Sequence, residues 1–465
     1  MSCFTTYAMK ILLVNCPIRL EAKPNCIPYG LATIAATLQR AGHEVEVYDI
    51  NALRPAEDQV VQELKQKTWH VAGVSGLITT YRYQKWLIPV LKKINPHAPV
   101  ISGGGLATTS SELLFGRTPV DITVSGEGEV TMLEVCDALG SGTDLKRVPG
   151  IRFRRNGCIE TTSARKTIDD LDAIPFPVWE LLPMEIYLKN PIWGDVAGNS
   201  SGFRRDINVN RSMNVISSRG CPFSCNYCYH LFGRSNYRYR SAENVVAEIE
   251  LLVDHYGVDF IGFVDDNMMA SESRLLSFCD MLESRKLPIT WGCHGRVTSA
   301  KPRLLQRMAE VGCVWIGYGI ESGSQQILKR MNKKTTVQAA KEAIRNTRKA
   351  GIYPNTTFIF GYPGETKETI QETVDFKKEL GIECGSFFAT PYPQTPLYEQ
   401  VRSRIKNEEE FISRLGNATE FSLNLTDFDD QTLFELKRAM DQNHDVLSCA
   451  VESRARNCQF INANH

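Results

Sequence analysis

Three thiols fall within eight residues, at Cys221, Cys225 and Cys228, in the run Cys-Pro-Phe-Ser-Cys-Asn-Tyr-Cys. They follow an apolar stretch that begins at Asn214-Val-Ile, so a strand should end there and a loop begin. Thiols this close cannot all pair in disulfides, but their sulfurs can converge on one soft metal centre. Zinc would need a fourth ligand, for which His230 is near. Yet C-x3-C-x2-C-x-H is not a usual zinc spacing, and no second C-x2-C pair occurs. An iron–sulfur cubane on three thiolates keeps one iron open for another ligand. The spacing favours the cluster and leaves zinc as the alternative.

The segment around this loop, 214–400, alternates strand and helix signals. Strand-like runs are Phe260–Val264, Ile289–Gly292, Val314–Gly317, Thr356–Phe360 and Ser386–Ala389, with helical patterns near 241–256, 272–285, 302–311, 334–350 and 366–380. With the strand before Cys221 this predicts a partial (β/α)6 barrel, whose chemistry belongs at the carboxyl ends of its strands. Those ends carry Asp265-Asp266-Asn267, acceptors for an ammonium group or a solvated helix cap. They carry Arg296, a fork for a carboxylate or half of a surface ion pair. They also carry Glu321 and Ser322 in Gly-Ile-Glu-Ser-Gly-Ser, suited to a charge or sugar contact or to helix capping. Asn355 and Thr357 precede Phe358-Ile-Phe-Gly361.

Residues 1–140 alternate likewise. Strands are expected at Lys10–Asn15, Glu44–Asp49, Val71–Ser75, Val100–Ser102 and Ile122–Ser125, with a helix over Tyr29–Gly42. This is the pattern of a doubly wound, Rossmann-like parallel sheet. Such sheets bind ligands outside the carboxyl ends of their strands. Here those ends hold Ser75, Gly76, Leu77 and Thr79, then Ser102, Gly103, Gly104 and Gly105, then Gly126 and Glu127. Glycines and hydroxyls let a large flat ligand approach the backbone. The missing G-x-G-x-x-G argues against a dinucleotide. Residues 141–213 read as a connector, with an Asn-Gly hairpin around Arg155, an aromatic stretch Trp179–Trp193 suited to packing or to a lid, and a loose tether over 194–211. Residues 401–465 read as a helical region covering the barrel.

The chain has 465 residues, enough for two or three cored domains, and 53 basic against 53 acidic side chains, which gives no steer toward nucleic acid. No apolar run reaches the ~18 residues of a membrane span. The N-terminus is not a signal peptide, and fourteen cysteines then read as reduced thiols in a cytoplasm. Cys16, Cys136, Cys279 and Cys313 lie in apolar patterns, and Cys384, Cys449 and Cys458 are expected to be buried thiols or, less simply, hydrogen-atom donors.

The cysteine loop, with Tyr227 before its last thiol, resembles the cluster-binding loop of radical S-adenosylmethionine (SAM) enzymes. Together with the glycine-rich rims it resembles the cobalamin-dependent branch of that family, which includes radical C- and P-methylases and the anaerobic Mg-protoporphyrin monomethyl ester cyclase. The resemblance covers residues 9 to about 400. It implies a [4Fe-4S] cluster on Cys221, Cys225 and Cys228. It implies SAM contacts from Tyr227, Asp265, Asp266, Asn267, Arg296, Glu321, Ser322, Asn355, Thr357 and Gly361, the last three flanking the adenine. The rim residues named above would hold cobalamin. Asp265-Asp266-Asn267 stands where other members often carry Gly-Gly-Glu, and Pro393-Gln394-Thr395 where the family often has Pro-Gly-Thr. The D-x-H-x-x-G motif is absent and His43, His70 and His97 do not fit it, which implies cobalamin with no protein histidine on cobalt. The implied activity is reductive cleavage of SAM to a 5′-deoxyadenosyl radical, then methylation of an unactivated carbon of a small molecule through methylcobalamin. A flavodoxin or ferredoxin would supply electrons. Ring closure is the alternative within the family, and a non-catalytic metal scaffold the alternative outside it.

Overall fold

The computed structural model describes residues 8–18, 24–190, 209–233, 236–416 and 420–447. Cys449, Cys458, Trp193 and most of the 194–211 tether lie outside them.

The first sheet is built from β1 (Lys10–Asn15), β2 (Glu44–Asp49), β3 (Val71–Ser75), β4 (Val100–Gly103) and β5 (Ile122–Val124), all parallel. Ile11 and Leu13 pack with Leu31, Ala35 and Met132 of helices on one face, while Leu12 and Val14 pack with Val60, Leu87 and Leu114 on the other. A strand covered on both sides has no polar face, which is why β1 reads as a continuous apolar run. The strand order β2-β1-β3-β4-β5 puts the topological switch between β1 and β3, so the ligand crevice lies at the end of β3, at Ser75-Gly76-Leu77. The expected hairpin, β6 (Ile151–Arg155) and β7 (Cys158–Thr161), is not a free-standing connector. It adds antiparallel to β5 and widens this sheet to seven strands.

The second sheet is the partial barrel: β8 (Ser212–Val215) pairs with β11 (Phe260–Phe263), followed by β12 (Thr290–Gly295), β13 (Cys313–Glu321), β14 (Tyr353–Phe360) and β15 (Phe387–Phe388), all parallel. Between β8 and β11, a two-residue antiparallel pair, β9 (Ser218–Arg219) and β10 (Arg238–Tyr239), brackets the cysteine loop. Phe263, Phe278 and Trp291 meet edge to face at 5.4–5.8 Å inside the helical layer, each pair adding roughly 0.5–1.5 kcal/mol beyond burial. One expected element differs. The helix read over 334–350 begins at Val337, and a separate turn of helix, Gln325–Arg330, precedes it. Between them Asn332 and Lys334 take left-handed φ of 52° and 53°, a break that periodicity does not register.

A helix of the first domain and the connector join the barrel's core. Ile27, Tyr29 and Ala32 of the first domain and Trp179, Met184, Tyr187 and Leu188 of the connector cluster with Val245, Ile249 and Phe263 of the barrel. The described part of the aromatic stretch is therefore packing and not a lid; the Tyr187 hydroxyl donates to Asp49 at 2.6 Å. Among the described residues no helix is long and apolar enough to cross a membrane.

After the barrel, Glu408–Ser413 returns to the first domain, where Glu409 accepts from Tyr81 and Lys85 and pairs with Arg117. The helix Asp430–Asp441 lies on Lys367–Leu380. Lys377 Nζ, fully buried, donates to the Cys384, Met440 and Asp441 carbonyls and so ties that last helix to the barrel. Replacing it by Met leaves these acceptors unpaired, so Lys377→Met should cost on the order of 3 kcal/mol and lower the thermal midpoint measured by circular dichroism.

Candidate active site

The cysteine loop is held from outside itself. Gly220 enters it with φ +80°, and a Cβ there would collide with the Asn236 carbonyl oxygen. The turn at 330–333 grips its middle: Asn226 donates its backbone N–H to Met331 O at 2.9 Å and its amide to Arg330 O at 3.0 Å. Asn332 reaches back to Ser224 O at 2.9 Å. Arg296 lies 3.8 Å above the Phe223 ring, donates to Cys225 Sγ at 3.4 Å and also to Lys333 O. The hydrogen bond from Cys228, with the charges of Lys333 and Arg296, brings the Cys225 thiol down to about 5. Cys228, the donor, moves up, and burial raises Cys221. Two cations beside the loop are what a set of thiolate ligands requires.

Among the described residues no three His, Cys, Asp or Glu side chains converge on a single-ion site. A zinc knuckle needs four ligands around one point, with Zn–S near ~2.3 Å, whereas a cubane gives each thiolate its own iron. Cys221, Cys225 and Cys228 line one cavity together, and three thiolates suffice for a cubane, whereas zinc would call on His230 as a fourth ligand.

Beside the thiols is a cavity of about 370 Å³, within the ~300–1,000 Å³ range of small-ligand sites. The strand ends bring Asp265, Asp266, His294, Arg296, Glu321 and Thr357 to its wall, with Tyr227 and Lys333. The two aspartates differ. Asp265 is spent on Ser217 N at 3.1 Å, Ser217 Oγ at 2.8 Å and the Ser218 hydroxyl. Asp266 is exposed to the cavity and accepts no hydrogen bond from the described residues, and the crowding of protein around it plus the charge of Asp265 push it up to about 6. Arg296 keeps Nε buried without a partner. Glu321 takes a left-handed φ of 68° at an irregularity in the β13–β14 pairing, a strain of roughly 1–3 kcal/mol that aims its carboxylate inward. There it accepts from Tyr227 Oη and Lys333 Nζ, both at 2.8 Å, and Lys333 also donates to Tyr227 at 3.0 Å. Burial lowers His294 to about 4, so its imidazole is neutral on the wall. Unfilled donors and acceptors around a cavity of this size fit a zwitterionic nucleoside.

Other expected contacts are placed elsewhere. Ser322 shares its hydroxyl with Thr373 and Ser324 N. Gly361 N donates to Glu365 at 2.7 Å. Asn355 shares the alternating face of β14 with Thr357 but lies one step further from the strand end, off the wall. Asn267 is buried with both ends of its amide unpartnered, also off the wall. Lys333 and the 330–333 turn have no counterpart in the sequence reading. Their one signal is a polar run, Asn-Lys-Lys, that breaks a helical pattern.

On the first sheet, Gly103 and Gly126 have open space where a Cβ would stand, Thr79 Oγ1 is buried without a partner, and Leu77 is half exposed among them. These features fit a broad, partly apolar ligand lying on the strand ends, against Ser75, Gly76, Gly104 and Gly105. Ser102 is turned inward, donating to Gln84 at 2.8 Å, and Glu127 is turned toward the barrel. His43 and His70 accept from Met9 N and Lys10 N at the opposite, amino-terminal rim.

Because Asp266 titrates near 6, its attraction for an ammonium group is present above that pH and fades below it. SAM affinity, measured by anaerobic equilibrium dialysis, should fall about tenfold from pH 7.5 to pH 5. Asp266→Asn should bind weakly and flatten that profile.

The B12 binding domain profile matches residues 16–136 and the Radical SAM superfamily profile residues 215–376. An uncharacterized methyltransferase of Pyrococcus horikoshii is 32% identical over 84% of this chain and 83% of its own length. The anaerobic magnesium-protoporphyrin IX monomethyl ester cyclase of Cereibacter sphaeroides is 29% identical over 82% of this chain and 61% of its own. Cytidylyl-2-hydroxyethylphosphonate methyltransferase of Streptomyces wedmorensis is 27% identical over 87% and 84%. Two solved structures share the fold at 20% identity. The radical SAM methyltransferase TsrM of Kitasatospora setae has a TM-score of 0.67 over 85% of this chain and 76% of its own. The cobalamin-dependent enzyme OxsB has a TM-score of 0.68 over 91% and 58%. With both profiles in sequence order and a relative above 30% identity along most of its length, the chain belongs to the radical SAM superfamily, in the branch that carries an N-terminal B12-binding domain, with a [4Fe-4S] cluster, SAM and cobalamin as its cofactors.

Proposed function

We propose that this protein methylates an unactivated carbon of a small molecule, with cobalamin carrying the methyl group between SAM and substrate. The observation that carries the reading is the apposition of the two rims. Arg219, two residues before Cys221, is bonded to Glu127 and Glu129, which follow β5, so the cysteine-lined mouth of the barrel and the glycine rim of the first sheet meet. Relatives named as methyltransferases support it.

Each chain residue then has a task. Cys221, Cys225 and Cys228 hold the cluster. Asp266 receives the SAM ammonium. Its carboxylate meets the unfilled Arg296 Nε and the third proton of Lys333, whose other two go to Tyr227 and Glu321. Glu321 and Tyr227 face the ribose, and Thr357, with Asn355 behind it, the base. Gly103 and Gly126, with Gly76 and Gly104 beside them, would hold cobalamin, with Leu77 and Thr79 nearby. When bound, the cluster and SAM would supply a carbon radical that can take hydrogen from a C–H bond beyond the reach of acid–base chemistry, with methionine leaving, and cobalamin would supply the methyl group. Phe223 covers the Arg296 guanidinium, and His294 stays neutral on the wall. The electron comes from a small carrier such as a flavodoxin or ferredoxin, in an oxygen-poor cytoplasm, and no nucleic acid takes part.

Incubation with methyl-deuterated SAM, a strong reductant and candidate small molecules tests the reading by mass spectrometry. Deuterium in the product is the expected result. Unlabelled product beside 5′-deoxyadenosine would favour ring closure, the activity in the cyclase relative's name. Since His43 and His70 lie at the far rim, labelling the protein's histidines with 15N should leave the electron paramagnetic resonance (EPR) spectrum of bound cob(II)alamin unchanged; a nitrogen splitting that changes with the label would contradict this placement.

A further inference from the structure

The loop Ser125–Glu129 has two faces. Gly126, at φ +75°, presents open space to the cobalamin side, and its N–H bonds Thr108 Oγ1 at 3.0 Å. That hydroxyl in turn donates to Gly104 O at 2.9 Å, so two of the glycine turns move as one. The carboxylates on either side of Gly128 point the other way. Arg219 Nη1 meets Glu127 Oε1 at 2.7 Å, and Nη2 meets Glu129 Oε1 at 2.5 Å. Arg238, paired with Arg219 across β9 and β10, adds a second bond to Glu127 at 2.9 Å. Phe232 lies 5.7 Å from one guanidinium and 5.6 Å from the other. These side chains are 2–11% exposed, so the charges have little water to fall back on if the geometry is lost. Gly220 alone separates Arg219 from Cys221, and a Cβ there would meet the Asn236 carbonyl, so the ion pair sits one tightly placed residue from the first thiol.

We infer that Glu127, Glu129 and Arg219 are positioning residues that couple the two cofactor sites, so that ordering the cysteine loop around its cluster tightens the cobalamin rim, and the reverse. The inference rests on the proposed placement of cobalamin on that rim. Neither carboxylate touches the corrin; both act through the loop that carries Gly126. Tyr29 offers the contrast. Its hydroxyl also crosses the domain boundary, to Glu248 at 2.9 Å and 3.0 Å, yet it touches neither loop.

The test is the affinity of the full chain for hydroxocobalamin, measured anaerobically by equilibrium dialysis with and without a reconstituted cluster. Wild-type protein should bind about tenfold more tightly when the cluster is present, within the range of ordinary site-to-site coupling. Arg219→Lys, which keeps the charge and loses the fork, and Glu129→Gln should each lose most of that factor while still incorporating iron and sulfide. Tyr29→Phe should keep it, even with a lowered thermal midpoint. Should Arg219→Lys not fold, Glu129→Gln decides alone. Equal wild-type affinities in the two states, or an undiminished factor in the variants, would overturn the coupling and leave the proposed function standing. A protein that binds no cobalamin in either state would overturn both.

Discussion

The guanidinium of Arg219, taken out of water between Glu127 and Glu129, joins two sheets whose ligand-binding edges would otherwise have no reason to meet. Parallel sheets place ligands beyond the carboxyl ends of their strands. A protein using two such sheets on one substrate must therefore turn those edges toward each other and hold them. Apolar packing around Tyr29, Trp179 and Tyr187 supplies adhesion but little orientation. Desolvating each ion costs several kcal/mol, so such pairs set geometry more than they add stability. Glu129 shows the balance: burial pushes its pKa up, and the charge and hydrogen bonds of Arg219 more than reverse this, leaving it below the usual carboxylate range.

Inside the barrel the same logic operates at shorter range. Few groups on the cavity wall are positioned by their own strand alone. Arg296 is oriented by Phe223 and the Lys333 carbonyl, and Glu321, itself left-handed at a pairing irregularity, is held by Tyr227 and Lys333. The cysteine loop is gripped by a turn about a hundred residues downstream. Outer contacts of this kind fix ligand geometry around metals, and strained backbone gathers where a side chain must be aimed.

Much of this was legible in the chain itself. Thiol spacing gave the metal loop, period-two and period-3.6 patterns gave both sheets, and glycines at three successive strand ends marked the first rim. What stayed hidden is what depends on partners distant in sequence. Periodicity assigns a residue to a face and says nothing about what faces it, so Glu127 reads as a rim contact although Arg219 and Arg238 claim it. Ser102 and Ser322 carry ligand-type hydroxyls, but Gln84 and Thr373 take them. Lys333 lies outside any motif, in a turn whose left-handed residues carry no glycine to announce them. The hairpin at 151–161 was visible as a hairpin, but its edge pairing with β5 was not, because an antiparallel addition leaves no mark on either partner.

The claim that the two cofactor sites share one cleft can be read from the interaction of two unpaired spins. In protein carrying both cob(II)alamin and the reduced cluster, facing sites predict EPR lines broadened and split by dipolar coupling, beyond the sum of spectra taken with each centre alone. A spectrum equal to that sum, with both centres present in full occupancy, would contradict the account.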